Sequence, residues 1–194
     1  MSLLELLNTI SAADEAAYRA CVARYNAVAK PVGSLGKLEE LLYRIAAIQG
    51  SARVDVGKKC VLIFCGDNGV LAQGVAQSDH SVTTAIGRSL AAGTASVNVM
   101  ARVCGADAFP VDMGMVDRVP ALPDFRLGAG TADMTLGPAM SRETALQGIL
   151  TGIELVRQRV QEGYRIIATG EAGIGNTTSS SAMAAALLGR MWNW

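Results

Sequence analysis

The hydrophobic pattern of the first fifty residues is helical. Residues 12–29 carry small and aromatic residues at intervals of four, and residues 38–49 carry apolar residues on one face and charges on the other. The first stripe consists of Ala13, Ala17, Cys21 and Tyr25; the second consists of Leu38, Leu41, Leu42, Ile45 and Ile48, opposite Glu39, Glu40 and Arg44. Since no strand pattern precedes residue 60, we expect a small helical subdomain over residues 1–50.

From residue 60 onward, short apolar runs alternate with longer helical patterns. Strands are predicted at residues 60–65, 108–112 and 164–169, and the first and third are predicted to be buried. Helices are predicted at 81–92, 94–104, 141–162 and 181–188. Pro110 weakens the prediction of the second strand, because proline has no N–H to donate to the hydrogen-bond ladder of a sheet. The alternation predicts an α/β domain over residues 51–194, with a Rossmann-like parallel sheet and flanking helices.

Composition and charge restrict the partners and the compartment. The formal net charge is zero and 18% of the residues are charged, which gives no electrostatic reason to expect nucleic acid or an anionic membrane surface. No apolar run reaches the ~18 residues of a membrane span, and no basic region precedes the first apolar residues. The four cysteines form no CxxC pair and His80 is the single histidine, so we expect reduced thiols, no metal site and a cytoplasmic location.

The stretch ATGEAGIGNTTSS, residues 168–180, is the richest candidate for a site. Its glycines permit close approach of the backbone to a ligand, and the helix that follows offers unpaired N–H groups to a phosphate. Glu171 would be repelled by that phosphate unless it meets hydroxyls or a cationic group of the same ligand. The glycine spacing matches neither a Walker A loop nor GxGxxG. Composition alone supports a ligand site and an ordinary capped turn equally.

The motif and its neighbours resemble a known enzyme family. GEAGIGNTT resembles the GE-x-GIGNTT signature of the nicotinate-nucleotide:dimethylbenzimidazole phosphoribosyltransferase family, which assembles the lower ligand of cobalamin. Four further stretches resemble family motifs in the same order: KPVGSLGKLEE at 30–40, GDNGV at 66–70 with GV at 74–75 and VT at 82–83, GAGTADM at 128–134, and GPAM at 137–140.

The resemblance implies a homodimer that transfers a 5-phosphoribosyl group from nicotinate mononucleotide to 5,6-dimethylbenzimidazole. The products would be α-ribazole 5′-phosphate and nicotinate, and no cofactor or metal is implied. By the same resemblance, the donor-binding residues are Glu171, Gly173, Ile174, Gly175, Asn176 and Thr177, and the acceptor-binding residues are Ser78, Ala172 and Asp67.

The sequence also departs from the family pattern. Family chains are longer, and their base glutamate would lie beyond Trp194, so the resemblance assigns no catalytic residue within this chain. We therefore expect a C-terminally truncated chain with little activity of its own. The alternative is a relative that only binds nucleotide or serves as a partner subunit. Asn68 stands where the family has histidine, and His80 is expected at the surface.

Overall fold

The structure, a computed structural model, describes residues 3–189 and divides the chain into two compact units, with the boundary between Gly57 and Lys58. The first unit contains α1 (Leu3–Leu7), α2 (Glu15–Asn26) and α3 (Lys37–Gln49). The α2 helix begins where the sequence supplies a cap, because the Asp14 carboxylate accepts a hydrogen bond from the Ala17 N–H at 2.9 Å.

The core of the first unit is a cluster of tyrosines between α2 and α3. Cys21 and Ala46 are fully buried, and the rings of Tyr18 and Tyr25 meet Tyr43 edge-on at centroid distances of 5.8 and 5.7 Å. The stripe predicted on α2 is confirmed at Ala17 and Cys21, both of which are buried.

The apolar face predicted for α3 is wrong at three of its five positions, since Leu42 and Ile45 are half-buried. Leu38, Leu41 and Ile48 are 52%, 57% and 78% exposed, whereas Tyr43 and Ala46 face the core. The large Tyr43 ring takes the position against α2, and this rotates the leucine face outward. Glu39, predicted to face solvent, is buried because its charge is paired with Lys30 at 2.7 Å.

The second unit is a three-stranded parallel sheet with helices. Its elements in chain order are β1 (Lys59–Gly66), a 3-10 helix (Gly69–Gln73), α4 (His80–Ala91), α5 (Ser96–Val103), β2 (Ala106–Gly114), α6 (Arg142–Gln161), β3 (Ile166–Ala172) and α7 (Asn176–Leu187). The strand order is β2-β1-β3 and both pairings are parallel, which confirms the predicted α/β class. No helix within residues 3–189 is long and apolar enough to span a membrane.

The central strand β1 is packed on both faces, as its continuous apolar run predicts. Ile63 and Cys65 join one core cluster with Leu90 and Met115 from elsewhere in the unit. Leu62, on the opposite face, packs in a second cluster that includes Val111 and Leu155.

Pro110 lies inside β2 and is tolerated because β2 is an edge strand. The Asp112 N–H donates to the Pro123 carbonyl at 2.9 Å, and the Asp112 carbonyl accepts from the Phe125 N–H at 2.9 Å, so Asp112 faces away from β1. Backbone direction alternates along a strand, so Pro110 faces the same open side. The ladder to β1 therefore loses no donor at the proline.

The third strand differs from its prediction in position and burial. It spans Ile166–Ala172 instead of 164–169, and Ala168, Thr169 and Glu171 are exposed. It is not buried because it forms the second edge of the sheet. Helix α7 begins at Asn176, five residues before the predicted start at 181. The Gly-rich connection is therefore short, and Glu171 lies at the end of a strand instead of in a loop.

Candidate active site

The strand order creates a switch point between β1 and β3. The chain leaves β1 to form β2 on one side and later returns to form β3 on the other. In open parallel sheets, ligands bind in the crevice beyond the carboxyl ends of such strands. In this chain those ends carry Asp67, Gly114 and Glu171, so the loops that follow the three strands open onto one rim of the sheet.

A cavity of about 260 Å³ lies at this rim. Strand ends and the 128–131 segment form its walls: Phe64, Cys65, Gly66, Asp67, Asn68, Met113, Gly114, Leu127, Gly128, Gly130, Thr131, Met140, Thr144 and Glu171. Two of these described lining residues are carboxylates, and none is a lysine, arginine or histidine. The cavity therefore favours a group that donates hydrogen bonds or carries positive charge over a bare anion.

Asp67 is the least satisfied polar group of the cavity. Its backbone is fixed, because its N–H donates to the Gly114 carbonyl at 3.0 Å and its carbonyl accepts from the Thr131 N–H at 3.0 Å. Oδ2 accepts from the Val116 N–H at 2.7 Å, whereas the buried Oδ1 has no hydrogen-bond partner among residues 3–189. A buried acceptor without a donor costs about 1–3 kcal/mol, and a ligand N–H or O–H would recover it.

The neighbouring Asp112 has a different, structural environment. Its Oδ1 accepts hydrogen bonds from the Gly114 and Met115 N–H groups at 2.9 and 2.8 Å, and Oδ2 lies 3.9 Å from Arg126 Nε. Its charge is thus used to hold the turn that ends β2. The contrast with Asp67 indicates which of the two carboxylates is available to a ligand.

Burial and the negative charge of these carboxylates affect the pKa of Cys65, the last buried residue of β1. Burial in the first place, and then the negative charges of Asp112, Glu171 and Asp67, raise the pKa of the Cys65 thiol to about 12. The thiol therefore stays protonated and does not serve as a nucleophile at this rim.

The GIGN segment is held against β1 by side chains from two other elements. The Ile174 N–H donates to the buried Thr83 Oγ1 at 3.1 Å, and the Ile174 carbonyl accepts from Asn68 Nδ2 at 3.1 Å. Asn68 Oδ1 in turn accepts from Ser179 Oγ at 2.7 Å. A Cβ on Gly173 would lie 1.9 Å from the Gly66 carbonyl oxygen. Gly173 is therefore required by packing on β1, whereas its predicted reason was close approach to a ligand.

The start of α7 has no side-chain cap, and its first backbone donor, the Asn176 N–H, bonds to the Gly173 carbonyl at 3.3 Å. Its N-cap is Gly175 in the left-handed region at φ +85°, and a glycine cap has no side chain to accept from the first turn. Asn176 and Thr177, expected as possible caps, bond elsewhere: Asn176 Nδ2 donates to Glu171 Oε1, and Thr177 Oγ1 donates to Asn176 Oδ1 at 3.2 Å. The Glu171 carboxylate is thereby oriented by the loop that follows it.

A larger groove of about 820 Å³ borders the same loop. Apolar residues of β1 and α4, together with residues 170–178, form most of its lining. Glu171 lines both this groove and the 260 Å³ cavity, so it marks the place where the two meet.

The three residues predicted to contact the acceptor are dispersed. Asp67 lines the rim cavity, and Ala172 lines the larger groove at the end of β3. Ser78 is exposed in the segment before α4 and lines neither of these two cavities. His80, the first residue of α4, is exposed.

Two supporting contacts were not predicted from the sequence. A Cβ on Gly69 would lie 2.4 Å from the Thr131 carbonyl oxygen, so the GDNG and GAGTAD motifs pack backbone against backbone. Within KPVGSLGKLEE, Glu39 accepts from Lys30 Nζ, Tyr43 OH and the Leu35 N–H, which closes that motif on itself. The glycines of the two motifs were the available sequence signal for the contact between Gly69 and Thr131. No sequence signal indicated the contacts of Glu39.

A comparison with protein families identifies the chain. Residues 10–193 match the family model described as phosphoribosyltransferase. The chain belongs to this family. Two curated relatives, both named nicotinate-nucleotide–dimethylbenzimidazole phosphoribosyltransferase, come from Roseiflexus sp. strain RS-1 and Chloroflexus aggregans. Each is 41% identical over 98% of this chain and 55% of its own length.

A solved structure agrees with the fold of this chain. The crystal structure named for the same enzyme from Thermus thermophilus superimposes with a TM-score of 0.86 at 34% identity, over 91% of this chain and 55% of that one. The chain thus spans about half the length of the relatives it matches.

Proposed function

We propose that this chain forms the nucleotide-binding part of an enzyme that transfers a 5-phosphoribosyl group from nicotinate mononucleotide to 5,6-dimethylbenzimidazole. The observation that carries the proposal is the pairing of Glu171 with the unpartnered Asp67 oxygen in one cavity at the switch point. Family membership and the names of the relatives support the same reaction.

The charge distribution suggests how the donor lies across the site. The phosphate is assigned to the start of α7, because backbone N–H groups and the helix dipole attract an anion there. The ribose hydroxyls are assigned to Glu171, which faces both cavities. This orientation keeps the phosphate away from the carboxylate-lined cavity and places C1′ of the ribose beside it.

The acceptor is assigned to the 260 Å³ cavity. A ring nitrogen of the benzimidazole attacks C1′, the bond from C1′ to the nicotinate ring breaks, and the other ring nitrogen bears a proton that must leave. Asp67 Oδ1 is placed to accept a hydrogen bond from that N–H and so to orient the ring. The proton itself is assigned to a base beyond the described residues, as the family resemblance implies.

Calorimetry with matched variants tests these assignments. Glu171→Gln should weaken binding of nicotinate mononucleotide at least tenfold. Asp67→Asn should weaken binding of dimethylbenzimidazole and should leave the affinity for the mononucleotide within about twofold of the wild-type value. Glu154→Gln, on the exposed surface of α6, is the control and should bind like the wild type. Wild-type affinity in both site variants, or no binding of the mononucleotide by the folded wild type, would refute the proposal.

A second candidate is a chain that binds nucleotide without turning it over. It is favoured by one observation, the coverage of only 55% of each relative. Release of nicotinate from nicotinate mononucleotide in the presence of dimethylbenzimidazole separates the two, since the first candidate predicts slow release and the second predicts none.

The assembly and the compartment are further parts of the proposal. We expect a homodimer in the cytoplasm. Free thiols at Cys21, Cys60, Cys65 and Cys104 support a reducing compartment.

A further inference from the structure

Two side chains that line the rim cavity also bond to the loop and helix that follow β3. Glu171 accepts from Asn176 and is assigned to the ribose. Asn68 has no such assignment, because both groups of its amide are already bonded. Its Nδ2 donates to the Ile174 carbonyl at 3.1 Å, and its Oδ1 accepts from Ser179 Oγ at 2.7 Å. Asn68 therefore connects the wall of the cavity to two points at the start of α7.

The backbone segments on the two sides of this contact fit closely together. A Cβ on Gly173 would lie 1.9 Å from the Gly66 carbonyl oxygen, and a Cβ on Gly175 would lie 3.4 Å from the Cβ of Asn68. Packing as close as this transmits a displacement of one segment to the other. The end of β1 and the start of α7 therefore move together.

The other side of Asn68 is fixed to the acceptor cavity. Asp67, whose Oδ1 is assigned to the acceptor, precedes it directly, and the Asp67 N–H and carbonyl bond to Gly114 and Thr131 at 3.0 Å each. The Gly69 N–H, on the other side of Asn68, donates to Thr131 Oγ1 at 3.0 Å. A ligand that bonds to Asp67 thus restrains this wall and, with it, the Asn68 amide.

We propose that Asn68 is a positioning residue that couples the two substrates, so that the acceptor in the rim cavity and the mononucleotide at the start of α7 strengthen each other's binding. This inference rests on the proposed function and adds to it a cooperativity and the residue that carries it. Each substrate restrains the same interlocked segments, so the substrate that binds second has less motion to suppress. The effect is reciprocal, because each substrate must raise the affinity for the other by the same factor.

Calorimetry of each substrate, with and without the other at saturation, measures this factor. In the wild type, bound dimethylbenzimidazole should raise the affinity for nicotinate mononucleotide by about fivefold or more, and bound mononucleotide should raise the affinity for dimethylbenzimidazole equally. Asn68→Ala should reduce the factor to less than about twofold, because the connection between the two sites is lost. A residue with a merely structural role would lower both affinities and leave the factor unchanged.

Thr83→Val is the matched control. Thr83 Oγ1 accepts from the Ile174 N–H at 3.1 Å, so Thr83 holds the same residue as Asn68 does, but it belongs to α4 and lines neither the rim cavity nor the 820 Å³ groove. Its replacement also loosens the GIGN segment and should weaken mononucleotide binding. The factor between the two substrates should nevertheless stay at the wild-type value. Circular dichroism of both variants verifies folding.

A second measurement needs only one substrate. Ser179 lines neither the rim cavity nor the groove, so its amide reports the position of α7 and not direct contact with a ligand. Titration of the ¹⁵N-labelled wild type with dimethylbenzimidazole alone should shift the Ser179 amide resonance saturably and slow its hydrogen exchange. In Asn68→Ala the same titration should leave this amide unchanged.

Four results would overturn the inference. They are a factor below about twofold in a wild-type chain that binds both substrates, a wild-type factor in Asn68→Ala, an equal loss of the factor in Thr83→Val, and a Ser179 amide that does not respond as dimethylbenzimidazole saturates the wild type. Failure of the proposed function looks different, because the folded wild type would then not bind the mononucleotide, or Glu171→Gln and Asp67→Asn would both bind like the wild type.

Discussion

At the scale of single residues, two features shape the candidate site. Glycines allow another backbone segment to approach closely, and the carboxylates differ in their hydrogen-bond partners. Gly173 and Gly69 each lie where a Cβ would overlap a carbonyl oxygen of another segment. Asp112 is satisfied by two N–H donors, whereas one oxygen of Asp67 has none among the described residues. The same residue types therefore have structural and ligand-facing roles at one rim of the sheet.

Substitution of Gly173 should lower the free energy of unfolding, because the residue is required by packing. Gly173→Ala places a methyl 1.9 Å from the Gly66 carbonyl oxygen, and relief of that overlap should lower the free energy of unfolding by about 1–3 kcal/mol. Gly152→Ala, in the middle of α6 with open space around its Cβ, should instead raise it by about 0.5–1 kcal/mol. Urea unfolding measures both; equal stability of the two variants would contradict the packing role of Gly173.

The four thiols should differ sharply in reactivity. Cys21, Cys60 and Cys65 are buried, and burial raises the pKa of each, that of Cys65 to about 12. Cys104 is exposed at the end of α5. A disulfide reagent at pH 8 should modify one thiol rapidly in the native chain and four in denaturant. Cys104→Ser should abolish the rapid phase; a rapid phase that persists would show that a buried thiol is accessible.

At the scale of elements, the site is held by contacts between segments far apart in sequence. Asn68 at the end of β1 and Thr83 in α4 together bind both backbone groups of Ile174. Asn68 also accepts from Ser179 in α7. These bonds set where the first turn of α7 lies relative to the carboxyl end of β1.

Removal of the Asn68 side chain should loosen that arrangement. Asn68→Ala leaves the Ile174 carbonyl and Ser179 hydroxyl without their partner, which should cost about 1–3 kcal/mol and speed hydrogen exchange in the first turn of α7. Gln73→Ala removes an exposed hydrogen bond to Asp133 nearby and should change stability by less than about 0.5 kcal/mol. Unchanged exchange in α7 of Asn68→Ala would show that other contacts position the helix.

The helical unit should be acid-sensitive through Glu39. The hydrogen bond from Lys30, then those from Tyr43 and the Leu35 N–H, lower the pKa of Glu39 from its ordinary 4.5 to about 2. A depressed carboxyl pKa stabilises the fold above the unfolded pKa, and that contribution is lost as the pH falls from about 4.5 through 2.

Near-UV circular dichroism of the Tyr18–Tyr25–Tyr43 cluster, followed during urea unfolding at pH 6 and pH 3, measures this loss. Glu39→Gln should lower stability at pH 6 and reduce its dependence on pH. Glu40→Gln, which affects only an exposed pair with Arg44, should retain the wild-type dependence. The same pH dependence in Glu39→Gln and the wild type would exclude Glu39 as its source.

Local pattern was sufficient for the strands and helices whose buried faces are covered within this part of the chain. The apolar run of β1 predicts a strand buried on both faces, and elements of this chain cover both. The pattern failed at α3, where Tyr43 and the buried Glu39–Lys30 pair face the core and three of the five predicted aliphatic residues are exposed, and at β3, which is an edge strand. The role of Gly173 was not predictable because it is set by the carbonyl of Gly66, far away in the chain, and no local pattern reports such a contact.

At the scale of the whole molecule, this chain spans about half the length of the family relatives it matches. It contains a switch-point cavity with two carboxylates. By the family resemblance, the base glutamate lies beyond the described residues. A positioned base typically contributes ~10²–10⁴-fold to a proton transfer.

Turnover by the chain alone should therefore be at least about 10²-fold slower than that of the full-length Roseiflexus relative. Release of nicotinate, followed by chromatography under identical conditions, measures the difference between the two wild-type chains. Comparable rates would show that Glu171 or Asp67 serves as the working base.

The proposed function requires the ligand site to lie at the carboxyl ends of β1 and β3. Titration of the ¹⁵N-labelled chain with nicotinate mononucleotide, followed by amide chemical shifts, observes this location directly. We expect saturable shifts at Asp67–Gly69, Gly114 and Glu171–Thr178, with the amides in the middle of α6 unchanged. Saturable shifts confined to other segments, or no shifts in the folded chain, would contradict this location.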